Sequence, residues 1–498
     1  MVPVYESTSS KVGGSQCGAA NIEGKPKLTS PILLFLDLFS CPPNPCRSTR
    51  DRSDPTPRIA WPIPLPAHPI DQRNPASPKE RILGKTRRIV TFAAAPHSKT
   101  STQRPLHLNT SNRIISLDIL RGFAILLVFV NHFEPGIMPG LTQLHGPAGF
   151  LFWHIKSIGW AGVDLFFVLS GFLISGILFA ELEKNRDIKL FRFWMRRGFK
   201  IWPSYFFLLA ILAITQTSAF IDTSSPSQFC KTLLVHVFFF QNYLADNPNG
   251  PTWSLAVEEH FYILLPLLLL GLQGLATKLK KNLKDLIGPA TLFIVLLCLG
   301  LRVMNVFHGV HPNDYMQTHF RIDALMIGVF CQYLWMTQSP AITHICSHLR
   351  SYFLLSLLLV SPAFFFNRTH PFMFSIGFLL LSIGFSFLLL TLYGGLIRKY
   401  ETAWFLKSVA VVGTWSYNIY LWHYFLPKIQ LLQFDWINRH LMEWLPGNYL
   451  VLGMQAALFT VFGLTFGYLA TLCIEFPFLQ LRNKLFPSRY KLTSNPTP

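Results

Sequence analysis

The sequence predicts an all-α polytopic membrane protein with about ten transmembrane helices. Three observations predict it. Of 498 residues, 51% are hydrophobic and 13% charged, where a soluble domain carries about a quarter charged residues. From Ile114 onward long apolar runs alternate with short polar loops, each run near the ~20 residues that cross a bilayer as a helix. The basic residues gather in alternate loops, as they do on the cytoplasmic side of membrane proteins.

The apolar runs lie roughly at 114–133, 160–181, 201–220, 253–275, 288–307, 321–337, 352–367, 373–394, 408–427 and 449–475. A shorter run, 233–243, contains His236 and reads as a re-entrant segment or a short extra span. Charge sets the orientation. The lead-in with Arg104 and Arg113, the loop 184–200, the loop with Lys278, Lys280, Lys281 and Lys284, the pair Arg398-Lys399 and the tail with Arg482, Lys484 and Arg489 are basic. Loops 134–158, 221–231, 307–320 and 428–447 hold few Lys or Arg. Ten crossings put every basic loop on one side, the cytoplasmic one, with both termini there. Counting 233–243 as a full span would break that alternation.

The sequence divides into three parts. Residues 1–112 hold 16 of the 35 prolines, and 15 Lys/Arg against 7 Asp/Glu. Runs such as Trp61-Pro62-Ile63-Pro64-Leu65-Pro66 cannot continue a helix, and the apolar run Pro31–Phe39 is too short to span. This part reads as a disordered or processed extension, or as a misassigned upstream start. Residues 113–481 form the membrane domain, and 482–498 a basic cytoplasmic tail. The formal net charge of +19 is accounted for by basic loops at a membrane surface, so no nucleic-acid partner is expected. The eight cysteines show neither metal-ligand spacing nor a disulfide framework; no metal is expected.

The informative residues are the charges within apolar runs, since each costs several kcal/mol unless paired or wet. The first span opens Leu117-Asp118-Ile119-Leu120-Arg121-Gly122 and ends at Asn131-His132. Arg121 and His132 fall within about 20° of each other on the helix, about 16 Å apart along its axis. Asp118 sits one turn from Arg121 and can pair with it. One polar stripe therefore faces inward; the plainer reading is a helix-start ion pair and an interface histidine. Asp164 stands among aromatics in Gly162-Val163-Asp164-Leu165-Phe166-Phe167-Val168-Leu169-Ser170-Gly171-Phe172, as a structural or a catalytic carboxylate. Arg196, Arg197 and Lys200 form an aromatic-interleaved basic patch before Pro203. It suits a phosphate-rich ligand or an anchor on anionic lipid.

The fourth span begins Trp253-Ser254-Leu255-Ala256-Val257-Glu258-Glu259-His260-Phe261-Tyr262. Glu258 shares a helix face with Ser254, whereas Glu259 and His260 point elsewhere. Glu258 is a candidate general base, orienting group or hydroxyl-binding group, or simply a carboxylate at a helix N-terminus. Arg321 and Asp323 open another span, Tyr417, Tyr420 and His423 lie at helical spacing, and Glu475 closes the last span before Pro477.

In this order the motifs resemble the acyltransferase-3 family of membrane acyltransferases, from about Ile114 to Phe478. The resemblance implies about ten helices and an acyl-CoA donor, usually acetyl-CoA, reached from the cytoplasm. It implies a carbohydrate or glycolipid hydroxyl as acceptor, and His132 as the leading catalytic residue. Arg121, Arg196, Arg197, Lys200 and Arg321 are then expected to hold the anionic donor. Glu258 or Asp118 is expected to orient His132 or balance its charge, and Trp253, Ser254, Tyr417 and His423 to contact substrate. Lys200 departs from the family where a further Arg is common, keeping the charge but losing the bidentate fork. Phe476 replaces a frequent Arg, and the N-terminal extension is atypical. No appended soluble esterase-like domain is seen. The expected chemistry is direct transfer with His132 as general base; no Cys sits beside a base to serve as nucleophile. Buried charges also mark transport pathways, so a transporter or exporter is the alternative, although no inverted repeat or paired broken helices are evident.

Overall fold

The structure is a computed structural model, and it describes residues 114–134, 146–215, 225–244, 250–311, 313–428 and 448–487, with isolated positions at 436, 439 and 440. The extension 1–112, the lead-in Arg113 and most of the basic tail 482–498 lie outside the described residues.

All regular structure among the described residues is helical. In chain order the helices are α1 Ile115–Asn131, α2 Gly146–Ile158, α3 Gly162–Asn185, α4 Leu190–Ile214, α5 Pro226–Val237, α6 Thr252–Leu279, α7 Leu283–His308, α8 Thr318–Met336, α9 Pro340–Ser347, α10 Leu349–Val360, α11 Phe378–Tyr393, α12 Trp404–Trp422, α13 Asn448–Ala470 and α14 Phe476–Leu485. Six described helices are long and apolar enough to cross a membrane, or seven if the pair α9–α10, bent by 97°, makes one broken span. That is the signature of a multi-pass integral membrane protein, and it falls short of the expected ten. The shortfall has a physical cause. The 17 residues of α1 stop just below bilayer length. The 19 of α8 and of α12 carry Arg321 with Asp323, and Asn418 with two tyrosines and three tryptophans, which lower their mean hydropathy.

The segment 233–243 is not a continuous helix. The twelve residues of α5 are capped by Ser225, whose hydroxyl accepts from the Gln228 amide, and end at Val237. Phe239 then turns the backbone with φ 60°. A helix of this length reaches about 18 Å and cannot span a bilayer.

Hydrophobic side chains that a soluble protein would bury are here on the outside. On α7, Leu292, Phe293, Leu296, Leu297, Met304 and Phe307 are all exposed. They form the lipid-facing side of a helix whose inner face carries Val295, Cys298 and Arg302. Lipid supplies no hydrophobic drive between helices, so small residues that let backbones approach become the means of association. The most extensive pairings are α1 with α12 and α3 with α8. At the first crossing, a Cβ on Gly413 would lie 1.9 Å from the Asp118 carbonyl oxygen, and one on Gly122 2.1 Å from that of Val409. At the second, a Cβ on Gly171 would lie 1.9 Å from the Leu325 oxygen, and one on Gly328 2.2 Å from that of Val168. Gly300, by contrast, has open space around it.

Replacing Gly171 by Val should therefore destabilise the protein by about 3 kcal/mol, the upper end of the cost of overpacking. Gly300→Ala should leave the apparent unfolding temperature in detergent unchanged. Equal midpoints for the two variants would contradict the close α3–α8 approach.

Candidate active site

Two cavities lie along the polar stripe of α1. The first, about 380 Å³, is lined by Asp118, Arg121, Ser170, Arg197, Lys200, Ser254, Glu258, Tyr262, Ser416 and Tyr417 among others. The second, about 200 Å³, is lined by Asn131, His132, Glu134, Trp160, Trp253, Tyr315, Arg321, Arg368 and Tyr424 among others. Val163 and Tyr420 line both. Tyr420 is therefore the wall between them, and its position is fixed: its hydroxyl lies 2.7 Å from the Pro251 carbonyl oxygen and 2.5 Å from Ser254 Oγ. The helical stripe expected from the sequence thus opens at its Arg121 end into one cavity and at its His132 end into the other.

The first cavity is basic, with three cationic side chains and two carboxylates in its wall. Asp118 Oδ1 accepts from Arg121 at 2.8 Å, the i,i+3 pair the sequence predicts. Glu258 accepts from Tyr262 at 2.6 Å and from Ser170 at 3.0 Å. Lys200 faces the same cavity but is committed elsewhere as well. Its ammonium lies 2.6 Å from Glu475 Oε1, and Glu475 Oε2 accepts from Asn418 at 2.7 Å. The lysine at this position therefore ties α4 to the end of the last span. Tyr417 lines the cavity and donates to the Ile201 carbonyl at 2.6 Å.

In the second cavity His132 Nδ1 lies 2.9 Å from the Val128 carbonyl and 3.0 Å from His423 Nε2. Tyr424 meets the His132 ring edge-on at 5.0 Å. Trp253 and Arg321 belong to this cavity and not to the first. Arg321 is held by Asp164 at 2.6 Å, and its guanidinium lies 3.8 Å over the Phe378 ring. Both partners are fully buried. Beside them Arg302 and Asp323 form a second buried pair at 2.7 Å, with Arg302 also donating to the Phe320 carbonyl. Arg302 was not singled out from the sequence, although an Arg inside the apolar run 288–307 was a visible signal.

The expected site residues are thus sorted by position. Arg121, Arg197 and Lys200 share the first cavity. Arg321 sits apart from them, engaged by Asp164. Arg196 does not line either cavity; its guanidinium donates to the Phe486 carbonyl at the end of α14. Asp118 is fourteen residues from His132 on one helix, about 21 Å, so it positions Arg121 rather than His132. Glu258 stands in the first cavity and His132 in the second. His423 lies behind His132, buried with 1% exposure. Ser170, Tyr262 and Arg368 escaped the sequence reading as site residues. The first two stand within quoted motifs, but hydroxyls in apolar runs carry no distinctive spacing.

An acyltransferase domain model of the acyltransferase-3 type matches residues 114–475, the stretch that builds both cavities. The chain belongs to this family. Among its relatives are the O-acetyltransferases OatA of Staphylococcus aureus strains NCTC 8325 / PS 47 and COL. Each is 28% identical over 318 residues, covering 59% of this chain and 51% of the relative. The chain therefore spans about half the length of these relatives. No solved structure matches it. Among the described residues, no group of three or more His, Cys, Asp or Glu could hold a metal ion. Residues 114–475 are thus an acyltransferase domain of this family.

Removing one partner of a buried ion pair strands the other charge, at about 3–5 kcal/mol. Asp164→Ala should lower the unfolding free energy by that amount and the unfolding midpoint with it. The double variant Asp164→Leu/Arg321→Met should recover most of it. A single variant as stable as the parent protein would show that the pair is solvated.

Proposed function

We propose that the protein transfers an acyl group, acetyl in the first instance, from acyl-CoA to a hydroxyl of a carbohydrate or glycolipid. The observation that carries this reading is the pair of cavities meeting at Tyr420, one basic and one containing His132. The basic cavity, with Arg121 and Arg197, matches an anionic donor, since guanidinium groups bind phosphates by paired charge-assisted hydrogen bonds. Its volume is within the usual range of about 300–1,000 Å³ for small-molecule sites. The second cavity offers aromatic faces at Trp160, Trp253, Tyr315 and Tyr424 and polar groups at Asn131 and Glu134, a lining suited to a sugar ring. That the relatives are O-acetyltransferases supports acetyl as the group and oxygen as its destination.

The acceptor hydroxyl oxygen attacks the thioester carbonyl carbon while His132 takes the hydroxyl proton. The tetrahedral intermediate collapses with cleavage of the C–S bond. The CoA thiolate leaves and receives the proton from the imidazolium, which restores neutral His132. An imidazole suits both transfers near neutral pH. Glu258, with its two hydroxyl donors, shapes the donor cavity. In this reading α1, α8, α12 and the bent pair α9–α10 cross the bilayer with the six longer helices, and the basic cavity and both termini face the cytoplasm. The clustering of Lys and Arg in alternate loops supports that orientation.

Purified protein in nanodiscs with acetyl-CoA and candidate sugars should release free thiol in an acceptor-dependent manner. His132→Ala should abolish release while the protein inserts normally. Undiminished release by His132→Ala would remove the histidine from the chemistry. Passage of labelled acceptor across the bilayer without thiol release would instead favour a transporter. Arg121→Ala or Arg197→Ala should raise KM for acetyl-CoA about 10- to 100-fold, the loss of a charge-assisted hydrogen bond of about 1.5–3 kcal/mol.

A further inference from the structure

The contacts of His423 define a relation between the two histidines that neither motif states. A carbonyl oxygen has no hydrogen to give, so an imidazole nitrogen hydrogen-bonded to one must be an N–H donor. His423 Nδ1 lies 2.8 Å from the Ile419 carbonyl oxygen, and therefore carries the hydrogen. A neutral imidazole has one N–H, so His423 Nε2 is an acceptor. That Nε2 lies 3.0 Å from His132 Nδ1, which must then be the donor. The Val128 carbonyl, 2.9 Å from the same Nδ1, requires the same hydrogen independently. Two separate contacts thus assign one tautomer to His132, with Nδ1 protonated and Nε2 basic.

We propose that His423 is the positioning residue of the site: it accepts the His132 Nδ1–H, fixing the tautomer and ring orientation that make Nε2 the proton-accepting nitrogen. The proposal rests on the acyl-transfer reading for its catalytic consequence, while the tautomer itself rests on geometry alone. The surroundings hold both rings in place. Phe129 packs on His423 at 5.4 Å and Tyr424 on His132 at 5.0 Å, and the close approach of Gly463 leaves its Cβ position 3.4 Å from that of His423. When His132 Nε2 takes the acceptor proton, its Nδ1–H keeps both acceptors, His423 Nε2 and the Val128 oxygen. These dipoles stabilise the imidazolium.

The full-length protein, labelled with ¹⁵N-histidine in nanodiscs, tests this directly. An N–H···N bond transmits a scalar coupling between the two nitrogens. The expected result is a correlation joining His132 Nδ1 to His423 Nε2, lost in both His132→Ala and His423→Gln, with His132 Nε2 unprotonated at neutral pH. In the thiol-release assay His423→Phe should lower kcat about 10- to 100-fold at unchanged KM for acetyl-CoA. That loss is a part of the about 10²–10⁴ a positioned base supplies. His423→Gln, whose amide oxygen can accept the same N–H, should restore most of it. Absence of the coupling, a protonated His132 Nε2, or equal activity of the Phe and Gln variants would overturn the proposal. Absence of thiol release by the parent protein with any acceptor would overturn the acyl-transfer reading instead, and the coupling would still decide the dyad.

Discussion

The close backbone approach of α1 and α12 is the constraint on which the rest of the site depends. Gly122 and Gly413 bring the two helices together with no room for a Cβ on either. In lipid such approach replaces the hydrophobic drive that would hold helices together in water. Its consequence is felt along both helices. Near the crossing, Asp118 and Arg121 share a cavity with Ser416 and Tyr417. Beyond it, His132 and His423 come within a hydrogen bond of one another. Tyr420, between these levels on α12, reaches Pro251 and Ser254 and closes the wall between the two cavities. Widening this crossing would disturb the first cavity, the wall and the histidine pair together.

The buried charges fall into two kinds. Asp164 with Arg321, and Arg302 with Asp323, neutralise one another deep between α3, α7 and α8. Each charge has an opposite partner, the Arg321 guanidinium also lies over the Phe378 ring, and the pairs stand beside the second cavity, which Arg321 lines. Arg121 is different, with 35% of its side chain accessible beside Asp118. Lys200 occupies the middle position, lining the first cavity while bound to Glu475. Its ammonium has three N–H donors and can donate in more than one direction.

The sequence by itself determined the helical membrane class, the family, the Asp118–Arg121 pair and the single face shared by Arg121 and His132. Each is a local or periodic property: hydropathy over about twenty residues, motif order, and about 100° of rotation per residue. It also determined that Ser254 and Glu258 face the same space, for the same reason. The tertiary structure alone decided which of the charged residues stand together. Arg321 and Lys200 each pair with a carboxylate 157 or 275 residues away, which the sequence does not show. The count of bilayer-crossing helices was blurred for a related reason: α1, α8 and α12 trade apolar length for the polar groups that build the cavities. His423, at helical spacing from Tyr417 and Tyr420, lies behind His132 because a crossing 291 residues apart in sequence brings the two rings together, and no period along one helix can encode that contact.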